Sequence, residues 1–107
     1  MKRIQGIADY YRAKVIEDAS HAFGATYPNG NKVGNCSYSE MTVFSLHPVK
    51  GITSGEGGIV TTNQKENEEK LRLFRSHGMV RDKDSFVNLS HATENGINNP
   101  WYYEAQT

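Results

Sequence analysis

The sequence predicts an α/β fold of the doubly wound kind, and three observations carry that expectation. Ile4, Ile7, Ala8 and Tyr11 fall at three- and four-residue intervals, the period of one helix face, and the apolar run Val15-Ile16 follows almost at once, as in a helix-to-strand step of such a domain. Two further β-rich runs, Met41-Thr42-Val43-Phe44 and Ile59-Val60-Thr61-Thr62, flank a loop too short to hold a crossover helix, so the second is expected to run antiparallel to the first. A strongly charged helical segment then begins near Gln64.

Taken in order, the first helix is expected over Lys2 to Tyr11, with its apolar face covering the sheet. Lys14-Val15-Ile16-Glu17-Asp18 reads as a short buried strand that ends in an acid, followed by Ala19, Ser20 and His21. Segments Phe23 to Tyr27 and Lys32-Val33-Gly34 flank Pro28-Asn29-Gly30-Asn31; Asn-Gly after Pro is a turn signal, so a small surface hairpin or loop belongs here. Met41 to Leu46 is the strand that feeds the glycine-rich loop through Lys50, and Gly58 to Thr62 is the strand that leaves it. Asn63 and Glu66 stand as an N-cap and capping-box-like pair for a helix reaching about Arg75, with Leu71 and Phe74 facing inward and Gly78 as the stop. Lys65, Glu66, Glu68, Glu69, Lys70 and Arg72 form its solvated face. Val80 to Asn99 is polar without a sustained period, and is expected to be ordered only where neighbouring structure holds it.

Composition narrows the functional classes. With 107 residues the chain can form one modest domain, and 12 basic against 12 acidic side chains give no electrostatic reason to bind nucleic acid or an anionic membrane. The single Cys36 excludes an intrachain disulfide and cannot supply a cysteine-rich zinc site, so a reducing cytoplasm is the natural compartment. The basic start Met1-Lys2-Arg3 leads into no signal-peptide apolar core, and no apolar run is long enough to span a bilayer as a helix, so a soluble, unexported protein is expected. His21, His47, His77 and His91 share no ligand-like spacing, which argues against a metal. Lys50-Gly51-Ile52-Thr53 lacks the glycine-rich lead-in of a phosphate loop.

Two residues suggest chemistry on their own. Lys50 stands in a strand-end loop, where scaffolds present reactive groups, and a partly desolvated lysine can lose its proton and attack a carbonyl; most lysines in such loops are simply solvated. Asp18, at the carboxyl end of a strand in an α/β sheet, would point into the crevice where such folds bind ligands. If it faced a pyridine nitrogen, its charge would keep that nitrogen protonated, the partner expected for a pyridoxal phosphate (PLP) lysine. The alternative is an ordinary strand-end acid that caps the Ala19 or Ser20 backbone.

Four blocks point further: Val15-Ile16-Glu17-Asp18-Ala19-Ser20-His21-Ala22-Phe23-Gly24-Ala25, Phe44-Ser45-Leu46-His47-Pro48-Val49-Lys50, Thr53-Ser54-Gly55-Glu56-Gly57-Gly58 and Leu73-Phe74-Arg75-Ser76-His77-Gly78-Met79. In order and spacing they resemble the DegT/DnrJ/EryC1/StrS sugar aminotransferases. Within that family the likeness is greatest to transaminases of UDP-linked 4-keto-6-deoxy-N-acetylhexosamines, and Pro100-Trp101-Tyr102-Tyr103-Glu104 resembles the same branch. The resemblance implies a fold type I PLP-dependent transferase, whose large-domain sheet is mostly parallel with one antiparallel strand. It also implies a cytoplasmic homodimer that takes a nucleotide-sugar substrate and an amino-acid donor, usually glutamate, in polysaccharide or glycan biosynthesis.

Carried over residue by residue, Lys50 matches the Schiff-base lysine and Asp18 the partner of the pyridine nitrogen. His21 fits the position beside the ring's phenolic oxygen, against a structural histidine, and Ser45 matches a phosphate-contacting hydroxyl. With Ala19 these make up the expected cofactor-binding set. His47, Glu56, Arg75 and His77 are candidates for the substrate side; loop orientation, turn geometry and a helix-end cation are the competing explanations. Trp101, Tyr102 and Tyr103 could stack on a nucleotide base or pack at a subunit interface. Family members are several times longer, so residues 1–107 are expected to be part of the large domain, without the N-terminal phosphate-gripping segment and the C-terminal small domain. The rival expectations are a catalytically silent fragment with a binding or assembly role, and a PLP-dependent sugar dehydratase, in which the lysine is replaced; Lys50 counts against the latter.

Overall fold

The computed structural model describes residues 1–106 and divides into two compact units, Met1–Lys65 and a second that begins at Glu66. In the first, α1 (Lys2–Tyr11) ends where Arg12 turns left-handed, and is followed by β1 (Ile16–Asp18), β2 (Met41–Ser45) and β3 (Gly58–Thr61). The strands form one sheet in that order, β1 parallel to β2 and β3 antiparallel to β2. The short loop reverses the chain, as expected from its length, and the long excursion from Asp18 to Met41 returns it in parallel.

Register sorts the sheet into two faces. Glu17 pairs with Thr42 and Thr42 with Thr61, and Phe44 opposite Ile59 lies on the same side; Asp18, Val43 and Val60 lie on the other, with Ser45. The first face is covered by residues 22–40. Phe23 packs edge-on against the buried Phe44 at 5.4 Å, and Tyr27 is buried with its hydroxyl donating to Glu17. The Cys36 thiol donates to the Thr61 carbonyl at 3.3 Å, and Thr42 is 0 % exposed with its hydroxyl among Glu17, Cys36 and Ser39. Burial first, and then the bond to Glu17, push the Tyr27 phenol well above its ordinary value. The predicted turn is present, closed by the Gly30 N–H on the Tyr27 carbonyl and by an antiparallel bridge between Thr26 and Lys32.

The opposite face differs from the sequence expectation. Ile16 is 62 % exposed, so β1 is not a buried strand, and α1 does not cover the sheet: Ala8 is buried, whereas Ile4, Ile7 and Tyr11 all stand open to solvent. The apolar period identifies a face that can be buried without identifying what it packs against.

The second unit carries most of α2 (Lys65–Arg75). At its start Thr62 Oγ1 accepts the Gln64 N–H at 3.2 Å, while the Asn63 amide donates to the Asn35 carbonyl. Glu66 with Lys70 and Glu68 with Arg72 pair at i,i+4, each worth about 0.3–0.5 kcal/mol at such exposed positions. Leu71 is half-buried as expected, but Phe74 is 62 % exposed and Leu73 takes the inward place. The helix ends in a left-handed cap: the His77 N–H reaches the Phe74 carbonyl and the Gly78 N–H the Leu73 carbonyl, with both residues at positive φ.

Beyond it, β4 (Met79–Val80) pairs antiparallel with β7 (Glu104–Ala105), and the chain between them holds a 3₁₀ turn (Lys83–Ser85), α3 (Leu89–Ala92) and a small hairpin of β5 (Thr93–Glu94) and β6 (Ile97–Asn98). What holds this polar stretch is the buried Glu104 carboxylate, which accepts the Val87 and Asn88 N–H groups, both at 2.7 Å, and the Tyr102 hydroxyl at 2.9 Å. No helix among the described residues is long and apolar enough to cross a membrane.

Candidate active site

Parallel pairing of β1 and β2 brings Asp18 and Ser45 to the same end and face of the sheet. The chain after Asp18 turns at once, with the Ala19 N–H on the Val43 carbonyl and the Ala22 N–H on the Ala19 carbonyl. That turn is tied to the acid. Asp18 Oδ1 accepts both the Ser20 hydroxyl at 2.6 Å and the Ser20 N–H at 2.9 Å, and these bonds, hydroxyl first, hold the carboxyl below its ordinary pKa; the positive charge of Lys50 acts in the same direction. Both bonds fall on one oxygen, which leaves Oδ2 for a ligand.

Lys50 follows β2 in a turn closed by its own N–H on the His47 carbonyl at 2.9 Å, with Pro48 in the second position that this turn favours. The base of the loop is pinned at Leu46: its N–H meets the Gly57 carbonyl, and its carbonyl accepts the Ser54 N–H and the Thr53 hydroxyl. From there the half-buried lysine reaches back toward β1. Its Nζ lies 2.9 Å from His21 Nε2, and Asp18, Ser20, His21, Ala22 and Lys50 line one open cleft of about 390 Å³. That volume falls within the range of about 300–1,000 Å³ usual for small-molecule sites.

The other expected residues are placed less closely. Ala19 is buried beneath the turn, and Ser45 Oγ accepts the His47 N–H at 3.3 Å; neither lines the cleft. His47 Nδ1 accepts the Val49 N–H and its Nε2 lies 3.8 Å from the Glu56 carboxylate, so these two form a pair within the loop. Arg75 and His77 belong to the second unit, where His77 serves in the helix cap. Trp101 and Tyr103 are exposed, and Tyr102 packs edge-on against Phe86. Among the described residues no group of three or more His, Cys, Asp or Glu side chains could hold a metal ion. A cavity of about 230 Å³ between Gln5, Asp9, Cys36, Glu40 and Gln64 contains none of the expected site residues. Ser20 is the functional neighbour that sequence reasoning underused: Asp-x-Ser is the signature of a side chain that accepts from the residue two positions on.

The cleft has groups of the kind a PLP site needs, an amine and a carboxylate lining one space, with an imidazole nitrogen hydrogen-bonded to the amine. Comparison with known proteins accords with it. A profile of the DegT/DnrJ/EryC1/StrS aminotransferase family matches residues 1–99. The UDP-4-amino-4,6-dideoxy-N-acetyl-beta-L-altrosamine transaminase of Campylobacter jejuni is 47% identical over 83 residues, covering 78% of this chain and 21% of that protein. Among solved structures, Helicobacter pylori PseC, an aminotransferase of pseudaminic acid biosynthesis, superposes with a TM-score of 0.73 at 33% identity, over 99% of this chain and 24% of that one. A candidate sugar aminotransferase of Streptococcus pneumoniae, solved in its PMP form, does so at 0.60 and 25% identity, over 89% and 22%. The chain thus spans between a fifth and a quarter of the length of these relatives.

Proposed function

This chain belongs to the DegT/DnrJ/EryC1/StrS aminotransferase family, and from that premise we propose that the protein it represents is a PLP-dependent transaminase. It moves an amino group, with glutamate as donor, to C4 of a nucleotide-linked keto sugar in surface polysaccharide or glycan biosynthesis. The observation that carries this reading is the meeting of Lys50, His21 and Asp18 in one cleft at the carboxyl end of a parallel strand pair. When bound, the cofactor supplies a carbonyl and an electron-withdrawing pyridine ring. Lys50 would supply the amine that holds the cofactor through that carbonyl, with loss of water, and when free would carry the proton beside the reacting carbon. Asp18, whose carboxylate Ser20 favours, would hold the pyridine nitrogen and keep it protonated. His21, Ala19 and Ser45 would complete the cofactor site, His21 on the side of the phenolic oxygen, Ala19 through its backbone and Ser45 through its hydroxyl toward the phosphate. His47, Glu56, Arg75 and His77 are assigned to the substrate side.

We infer further that residues 1–107 are part of the large domain of a fold type I transferase that works as a homodimer, a reading supported by the extent of the match to PseC. One observation favours the rival, a silent fragment with an assembly role: the apolar face of α1 is uncovered. Labelling separates the two. Protein incubated with PLP and reduced with borohydride is expected to carry the adduct on half-buried Lys50 in preference to exposed Lys14, Lys32 and Lys70, and Lys50→Ala to lose it. Adducts spread over the exposed lysines, with Lys50 unmodified, would refute the transaminase assignment.

A further inference from the structure

The contact between His21 and Lys50 carries more than a shared cleft. A lysine ammonium has three donors and no acceptor, so at 2.9 Å the ring nitrogen Nε2 is the acceptor and Nδ1 carries the imidazole hydrogen. Among the described residues the imidazole is the sole hydrogen-bond partner of Nζ. The ring itself stands on a tied support: its turn is closed by the Ala22 N–H on the Ala19 carbonyl, anchored to β2 through the Ala19 N–H, and fastened to Asp18 by two bonds from Ser20. Lys50, by contrast, hangs from an exposed loop on a flexible four-carbon stem.

We propose that His21 is the positioning residue for Lys50, its Nε2 accepting a hydrogen from the lysine nitrogen and holding that amine in the Asp18 cleft whenever it is not bonded to the cofactor. This rests on the assignment of Lys50 proposed above and adds a role for its neighbour during the half of the cycle in which the amine is free. Without the acceptor the stem samples rotamers that carry Nζ out of the cleft, and the reacting carbon loses a proton carrier held within reach. Glutamine can supply an acceptor oxygen near the same place; leucine cannot.

The test begins without cofactor. Long-range ¹H–¹⁵N spectra of the imidazole in the full chain are expected to show the Nδ1–H tautomer, with the Nε2 resonance displaced in Lys50→Met while backbone amides away from the cleft stay in place. A protonated Nε2, or an Nε2 signal indifferent to Lys50→Met, would overturn the proposal. Borohydride capture of PLP on Lys50, normalised to Lys14, is then expected to fall roughly threefold to tenfold in His21→Leu, the factor for one hydrogen bond of ordinary net strength, and to recover in His21→Gln. Equal capture in all three proteins would also overturn it. A tautomer response to Lys50→Met with no capture on Lys50 in the unaltered protein refutes the proposed function and leaves the pairing intact.

Discussion

Replacing Gly34 with alanine would set a methyl carbon 2.8 Å from Phe44 Cζ and 2.9 Å from Cε2, where carbon atoms ordinarily rest about 3.5–4.0 Å apart. The ring has little room to retreat: Phe44 is 5 % exposed and already packs against Phe23. Gly34 also sits at φ +96°, a conformation L side chains rarely adopt. Backbone strain of about 1–3 kcal/mol and overpacking of about 1–3 kcal/mol place the expected loss at roughly 2–6 kcal/mol. The two contributions can be separated by urea unfolding of Gly34→Ala, Phe44→Leu and the double variant. The smaller leucine should relieve the steric part and not the strain, so the double variant is expected to be more stable than the sum of the singles predicts by at least about 1 kcal/mol. Should Gly34→Ala fall within about 0.5 kcal/mol of the parent, or combine additively with Phe44→Leu, the packing of residues 22–40 on this sheet face would be wrong. The consequence reaches the site, because Phe44 immediately precedes Ser45 on the strand that launches the Lys50 loop.

Two predictions concern the second unit. Gly78→Ala would place Cβ 2.5 Å from the Gln106 carbonyl oxygen, a backbone atom that cannot swing aside, so the β4–β7 pairing is expected to open, with faster amide exchange at Gln106, whose N–H bonds the Gly78 carbonyl. The Glu104 carboxyl is held below its ordinary value chiefly by the Val87 N–H, then by the Asn88 N–H and the Tyr102 hydroxyl. A depressed folded-state pKa stabilises above the unfolded value and loses that contribution as pH falls through the folded one, so protection of the Val87 and Asn88 amides, relative to their intrinsic exchange rates at the same pH, should fall in acid; Glu104→Ala should show low protection already at neutral pH.

Much of the fold was legible because its signals are local. The helix over Lys2 to Tyr11, the turn at Asn29-Gly30, the antiparallel return into Gly58 and the stop after Arg75 each follow from a few neighbouring residues. What failed was burial. Ile4, Ile7, Tyr11, Ile16 and Phe74 have the right period and the wrong surroundings, since periodicity aligns side chains without supplying a surface to bury them. The stretch from Val80 to Asn99 shows the converse: it has little apolar content to pattern, and its order comes from Glu104, whose two backbone bonds span the chain from residues 87 and 88 in a way no local window reveals.

The site lies between these cases. Asp18 and Lys50 were identifiable as strand-end residues, yet nothing within either segment fixes whether the two strands run side by side in the same direction. That depends on pairing Asp18 with Val43 across the excursion of residues 22–40, and on Glu17, Tyr27, Cys36 and Thr42 satisfying one another beneath it. A slip of one residue in β1 would turn Asp18 to the covered face and bring Glu17 out in its place. The polar cluster opposes that slip, because Glu17 turned outward would lose the Tyr27 and Thr42 hydroxyls and leave the buried phenol without its acceptor. Glu17 thus helps set the side on which its neighbour presents a carboxylate to Lys50, although it makes no contact with the cleft itself.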